Sequence, residues 1–126
     1  MTRKKNALFS VITIGSHSIK MIIAEASNEK DFKVIENTNY PINLGRESFS
    51  KGIISVPVVL EVCNILNKLK KLLMEYSVTE FDVIATSSIR EAKNRLFIID
   101  KIMITTGLHV RILTNAEERY LTFKEP

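Results

Sequence analysis

Two apolar runs rich in β-branched residues, Leu8–Ile14 and Ile19–Ala26, stand four residues apart, joined by "GSHS", Gly15–Ser18. A link this short cannot make the crossover that parallel strands require, so the two runs must fold back on each other as an antiparallel hairpin. "FKVIENTNYPINLG", Phe32–Gly45, reads as a third extended stretch, reached through the polar turn "SNEKD", with Pro41 at an edge or irregular end. Three antiparallel strands in succession are expected to lead the fold.

The periodicity then changes. Ser55 is the expected N-cap of a helix with Pro57 in its first turn, where a missing backbone N–H has no consequence. Val59, Val62, Cys63, Leu66, Leu69, Leu73 and Tyr76 recur at helical spacing, which turns one face of this helix onto the sheet. Two short strands follow, "FDVIAT" (Phe81–Thr86) and "HVRIL" (His109–Leu113), separated by the mostly helical segment "REAKNRLFIIDKIMITTG" with Gly107 as its C-cap. A strand, helix, strand unit of this kind gives a parallel pair. "NAEERYLTF" opens at Asn115 as a further helix, with acidic residues in its first turn.

A chain of 126 residues that is 45% hydrophobic and 25% charged can bury one real core, so residues 1–126 are read as a single globular domain. The net charge of +4 is spread among acidic residues except at "TRKK" and at "KLKK", Lys68–Lys71, a run that a solvated helix face explains. Nucleic acid is therefore not expected as a partner. The lone Cys63 lies in the apolar helical pattern, which excludes a disulfide within the chain and fits a reducing cytoplasm. "TRKK", "ALFSVITIG" and "AEA" imitate a secretory signal, but Ser16, His17, Ser18 and Lys20 interrupt the apolar run and another apolar stretch follows at once. No run is long enough to span a bilayer, so no membrane association is expected.

Three antiparallel strands followed by helix, strand, helix, strand, helix is the order of the ribonuclease-H-like α/β domain shared by actin, heat-shock ATPases and sugar kinases. A five-stranded mixed sheet with helices is the expected architecture. Four stretches, "ITIGSHSIKMII", "INLGRESFSKGIIS", "VIATSSIREAKN" and "TGLHVRILTNAEERYL", occur in an order and at a spacing that resemble the N-terminal domain of the exopolyphosphatase/guanosine pentaphosphate phosphohydrolase (Ppx/GppA phosphatase) family, from about Phe9 to Phe123.

The resemblance implies roles residue by residue. The first turn matches one of the family's two phosphate-binding loops at Gly15, Ser16 and Ser18, with His17 where the family has asparagine and Thr13 where it has a metal-binding aspartate. Arg90 matches the family arginine, whose fork of donors suits a phosphate oxygen, and Asn94 belongs to the same stretch as a cap or brace. Glu118 aligns with the glutamate that positions the attacking water. The implied protein is a bacterial, cytoplasmic hydrolase of terminal phosphoanhydrides, acting on polyphosphate or guanosine pentaphosphate and using magnesium (Mg2+). Its partners would be that polyanion, the family's second domain with a second glycine-rich phosphate loop, and a second copy of the chain in a homodimer. The isolated domain would be inactive.

Each of these residues also has a plainer reading. "GSHS" serves an ordinary hairpin, Arg90 pairs on the surface with Glu91 or Asp100, and Glu117 and Glu118 complement a helix N-terminus. His109 is structural, whereas a protonated His17 could contact an anion. Thr13 offers a neutral hydroxyl where hard cations prefer carboxylate, so the alternative function is a non-catalytic phosphate or nucleotide sensor with a degenerate metal site. A second rival, a basic adaptor for nucleic acid or an acidic partner, finds no clustered basic stripe in the sequence.

Overall fold

The computed structural model describes residues 7–27 and 31–124. Strand β1 (Ala7–Ile14) turns back as β2 (Ser18–Ala26), with Val11 opposite Ile22 and Ile14 opposite Ile19. β3 (Phe32–Pro41) adds antiparallel to β2 with a shift of register between Ile23 and Ala24. Much of the expected "SNEKD" turn, like the "TRKK" start, lies outside the described residues, but the Ser27 N–H donates to the Asp31 carbonyl at 3.1 Å. On its other side β1 runs parallel to β4 (Glu80–Ala85), and β4 runs parallel to β5 (Arg111–Ile112). The sheet is five-stranded and mixed, as expected, and its strand order is β3-β2-β1-β4-β5.

One expectation fails at the end of β3. The Phe32–Gly45 stretch is not extended throughout: the strand ends at Pro41 and helix α1 (Leu44–Lys51) begins three residues later. The Asn43 side chain accepts the Arg46 N–H at 3.1 Å and so caps α1, satisfying a donor that has no partner within the helix.

Helix α2 (Val56–Glu75) lies where the 3.6-residue period placed it, burying Val59, Val62, Cys63, Leu66, Leu69 and Leu73. They pack in one core with Ile12, Ile14, Ile19, Met21 and Ile23 of the sheet. Each fully buried Leu or Ile contributes about 1.5–3 kcal/mol, so this layer dominates stability. Ser55 stands at the N-cap position but its side chain does not cap α2; the hydroxyl donates to Glu47 Oε1 at 2.9 Å and the Ser55 N–H reaches the same oxygen at 3.1 Å. The reason is α1, whose Glu47 accepts both donors.

The segment read as one mostly helical stretch is two helices, α3 (Ser87–Arg90) and α4 (Arg95–Thr106). The chain between them is pinned to the α1–α2 link and cannot continue helically. The Lys93 N–H donates to the Gly52 carbonyl at 2.8 Å, while Asn94 donates to the Ile54 carbonyl at 2.8 Å and accepts the Ile54 N–H at 3.2 Å. Gly107 ends α4 with φ +77°, a left-handed conformation that glycine adopts without steric penalty, and Lys70 Nζ donates to the Thr106 carbonyl at 2.7 Å. With Lys68 placed 5.9 Å from the Tyr40 ring centre, "KLKK" caps and covers the fold. β5 is shorter than expected because His109 and Val110 precede its pairing with Ile84 and Ala85. Helix α5 (Asn115–Lys124) follows it.

The sheet's other face carries the alternate residues. Val11, Thr13, Lys20, Ile22, Asn37, Asn39 and Ile84 line an open concavity of about 680 Å³ there. No helix among the described residues is long and apolar enough to cross a membrane.

Candidate phosphate site

The turn at the end of β1 is held from three sides. Its own closure is the Gly15 N–H donating to the Ser18 carbonyl at 2.9 Å. From the second side, the Ile42 N–H donates to the His17 carbonyl at 3.0 Å and the Gly45 N–H to the Ser16 carbonyl at 2.9 Å. A Cβ on Gly45 would stand 3.1 Å from Ser16 Cβ and 3.1 Å from Phe49 Cε2, so α1 approaches the turn as closely as a residue without a side chain allows. From the third side, the Thr86 N–H donates to the Ile14 carbonyl at 3.1 Å and Ser88 Oγ to the Gly15 carbonyl at 3.4 Å. The buried Ser48 then donates to the Ser88 carbonyl, locking α1 to α3.

With the carbonyls of Gly15, Ser16, His17 and Ser18 all accepting from the fold, the turn's hydroxyls remain for other work. Ser16 Oγ faces Ser87 Oγ at 3.4 Å. Ser18 is half-buried and His17 is exposed at the tip. Gly15 holds the turn through its own N–H, so its place is to shape the loop. Ser87 was not singled out in the sequence; a hydroxyl pair at a strand-to-helix junction, "TSS", was the available signal.

Arg90 closes α3 at its far end from Ser87. Its Nη1 donates to the Leu113 carbonyl at 2.8 Å and to Glu118 Oε2 at 2.9 Å. The surface pairing read from sequence is present in weaker form, to Glu91 at 3.4 Å. The two acidic residues of "NAEERYL" separate in role. Glu117 forms a reciprocal cap with Thr114: its Oε1 accepts the Thr114 N–H at 3.0 Å, and its own N–H donates to Thr114 Oγ1 at 3.1 Å. Hydrogen bonds to the carboxyl from the Thr114 backbone N–H and the Thr114 side chain, with Arg111 at 3.0 Å behind them, hold Glu117 below its ordinary range. Glu118, one residue on, turns to Arg90.

Two residues of the expected set lie apart. Asn94 braces Ile54, as described above. Thr13 points into the open face, where Lys20 is its direct partner across the β1–β2 pair. A neutral hydroxyl beside an ammonium is a poor place for a hard cation, which needs anionic oxygen ligands. Among the described residues no group of three or more His, Cys, Asp or Glu gathers to supply them. The residues at Thr13 do not fit a magnesium ion.

The site thus sits on a five-stranded mixed α/β sheet whose first hairpin turn is clasped by the starts of α1 and α3, with the Arg90–Glu118 pair alongside. Residues 22–125 match the Ppx/GppA phosphatase family, and the chain belongs to that family. It is 25% identical over 127 residues, 96% of this chain and 19% of the relative, to a bifunctional 3-dehydroquinate synthase/phosphatase of Fusobacterium nucleatum. It is 21% identical to exopolyphosphatase 1 of Mycobacterium leprae, over 90% of this chain and 33% of that protein. The crystal structure of the Aquifex aeolicus Ppx/GppA family member superimposes with a TM-score of 0.82 at 27% identity, covering 89% of this chain and 36% of that one. The chain thus spans a third or less of the curated relatives named here.

Proposed function

We propose that this domain forms one wall of an exopolyphosphatase-like hydrolase that releases the terminal phosphate of polyphosphate or of guanosine pentaphosphate. Ser16, Ser18 and Arg90 hold phosphate oxygens, Gly15 shapes the loop and Glu118 directs the attacking water. In-line phosphoryl transfer depends chiefly on positioning and charge, which a rigid turn and a guanidinium supply. The observation that carries this reading is the Arg90–Glu118 contact at 2.9 Å, which sets a guanidinium beside a carboxylate, the pair of groups this chemistry needs.

The opposite wall of the cleft, with a second phosphate loop, would come from a further domain of the protein, so these 126 residues alone would not turn over. A cytoplasmic setting, where both polyanions occur, goes with this reading. Thr13 beside Lys20 favours a second reading, a sensor that binds the polyanion without cleaving it. Phosphate release from long-chain polyphosphate and from guanosine pentaphosphate, measured on the intact protein and its Glu118→Gln variant, tests both. Release abolished by the substitution supports the hydrolase, binding without release supports the sensor, and neither binding nor release defeats both.

A further inference from the structure

The Arg90 guanidinium is divided. Nη1 uses its two N–H bonds on Leu113 O, at 2.8 Å, and on Glu118 Oε2, at 2.9 Å. Nε reaches only the exposed Glu91, at 3.4 Å, and Nη2 has no partner among the described residues. The side chain is 17% exposed, so the guanidinium is held in place and its unpaired edge has a fixed direction. We propose that Arg90, beyond gripping phosphate, is the positioning residue for Glu118: its outer edge takes a phosphate oxygen while Nη1, anchored on the Leu113 carbonyl, holds the carboxylate where it can direct the attacking water. This rests on the hydrolase reading given above.

Three features support the division of labour. A carbonyl anchor fixes the guanidinium independently of any ligand, so phosphate need not order the arginine when it binds. Only a planar fork can serve two partners on different edges at once; a lysine supplies the charge from a single nitrogen. Arg90 and Glu118 also belong to different elements, α3 and α5, so the contact sets the carboxylate against the phosphate turn rather than against its own helix.

The test is a kinetic cycle on the intact protein with tripolyphosphate, comparing wild type, Arg90→Lys, Glu118→Gln and the double variant. Arg90→Lys keeps a cation near phosphate and should raise KM less than about 10-fold, while kcat falls about 100-fold or more, to the level of Glu118→Gln. The double variant should then be no slower than Glu118→Gln alone. An Arg90→Ala protein should regain turnover with added ethylguanidinium, and Arg90→Ala combined with Glu118→Gln should not; a merely structural arginine would show no such dependence on Glu118. Losses that multiply in the double variant, or an Arg90→Lys effect confined to KM, would overturn this positioning role and leave the hydrolase reading standing. Tripolyphosphate bound by wild type without turnover would overturn both.

Discussion

Tyr76, at the end of α2, donates its phenolic proton to Glu36 Oε2 in β3 at 2.8 Å, tying the main helix to the edge strand of the sheet. Thr38 Oγ1 donates to the other carboxylate oxygen at 2.8 Å. The Tyr76 bond first and the Thr38 bond second hold the Glu36 carboxyl below its ordinary 4.5, and the same contact with Glu36 pushes the Tyr76 phenol above its ordinary 10.0.

The sign follows for each group. A depressed carboxyl stabilises the fold above its unfolded pKa and loses that contribution as pH falls through the folded value. A raised phenol stabilises below its unfolded pKa and loses its contribution as pH rises through the folded value. Tyr76→Phe should therefore lower Tm by a constant amount between about pH 5.5 and 9, with the difference closing at both ends. Thermal melts across pH 3–11 check this; a difference that does not change with pH would show that only packing was lost.

Ser10 is 2% exposed on the core side of β1, and its Oγ has no hydrogen-bond partner among the described residues. An unpaired buried hydroxyl keeps its desolvation penalty without return, so Ser10→Ala should be neutral or stabilising by about 1 kcal/mol. Denaturant midpoints decide it, and a loss of stability would reveal that the hydroxyl has a partner in solution.

Gly45→Ala should damage the Gly15–Ser18 turn more than α1 itself. The added methyl meets Ser16 Cβ and the Phe49 ring at 3.1 Å; Phe49 is 58% exposed and can swing away, so the strain passes to Ser16. A loss of about 1–3 kcal/mol is expected. Tripolyphosphate affinity should fall as well, and calorimetric titration would show whether it does.

On the hydrolase reading, Thr13→Asp should lower the magnesium concentration at which the intact protein releases phosphate, because it adds a charged hard oxygen to β1. Lys20 stands directly across the strand pair and would compete for that carboxylate, so Lys20→Met added to Thr13→Asp should lower the requirement further. Magnesium titrations of phosphate release compare the three proteins. Identical curves would place the metal's ligands away from this strand.

The β1–β2 hairpin and α2 could be read from sequence because their buried faces repeat every two or every 3.6 residues over eight or more positions. α1 could not. "LGRESFSK" has no apolar stripe, and its helix is fixed by contacts made elsewhere: Gly45 on Ser16 and Ser48 on Ser88. Its local marks were Asn43 before it, Gly52 after it, and Glu47 and Lys51 in its first and last turns. The site divides in the same way. The turn is visible as four adjacent residues, but the Ser16–Ser87 approach spans 71 positions and the Arg90–Glu118 contact spans 28, distances over which spacing carries no information. Periodicity and composition could not separate Glu117 from Glu118, since the capping role of one depends on Thr114 and the orientation of the other on α3; only the family resemblance singled out Glu118.

The long reach between the Ile14–Gly15 carbonyls and the Thr86–Ser88 donors also has a consequence in time. Strands β1, β2 and β3 meet through short local closures, whereas the chain must travel some seventy residues before α3 arrives beside the turn, and such a closure is entropically slow. The hairpin is thus expected to exist before there is anything to bind with it. A contact made after the folding barrier governs how fast a protein comes apart, not how fast it assembles. Ser88→Ala should accordingly steepen the loss of the folded state in stopped-flow unfolding while leaving the refolding rate nearly unchanged, so that the lifetime of the Gly15–Ser18 turn, rather than its formation, is what α3 controls.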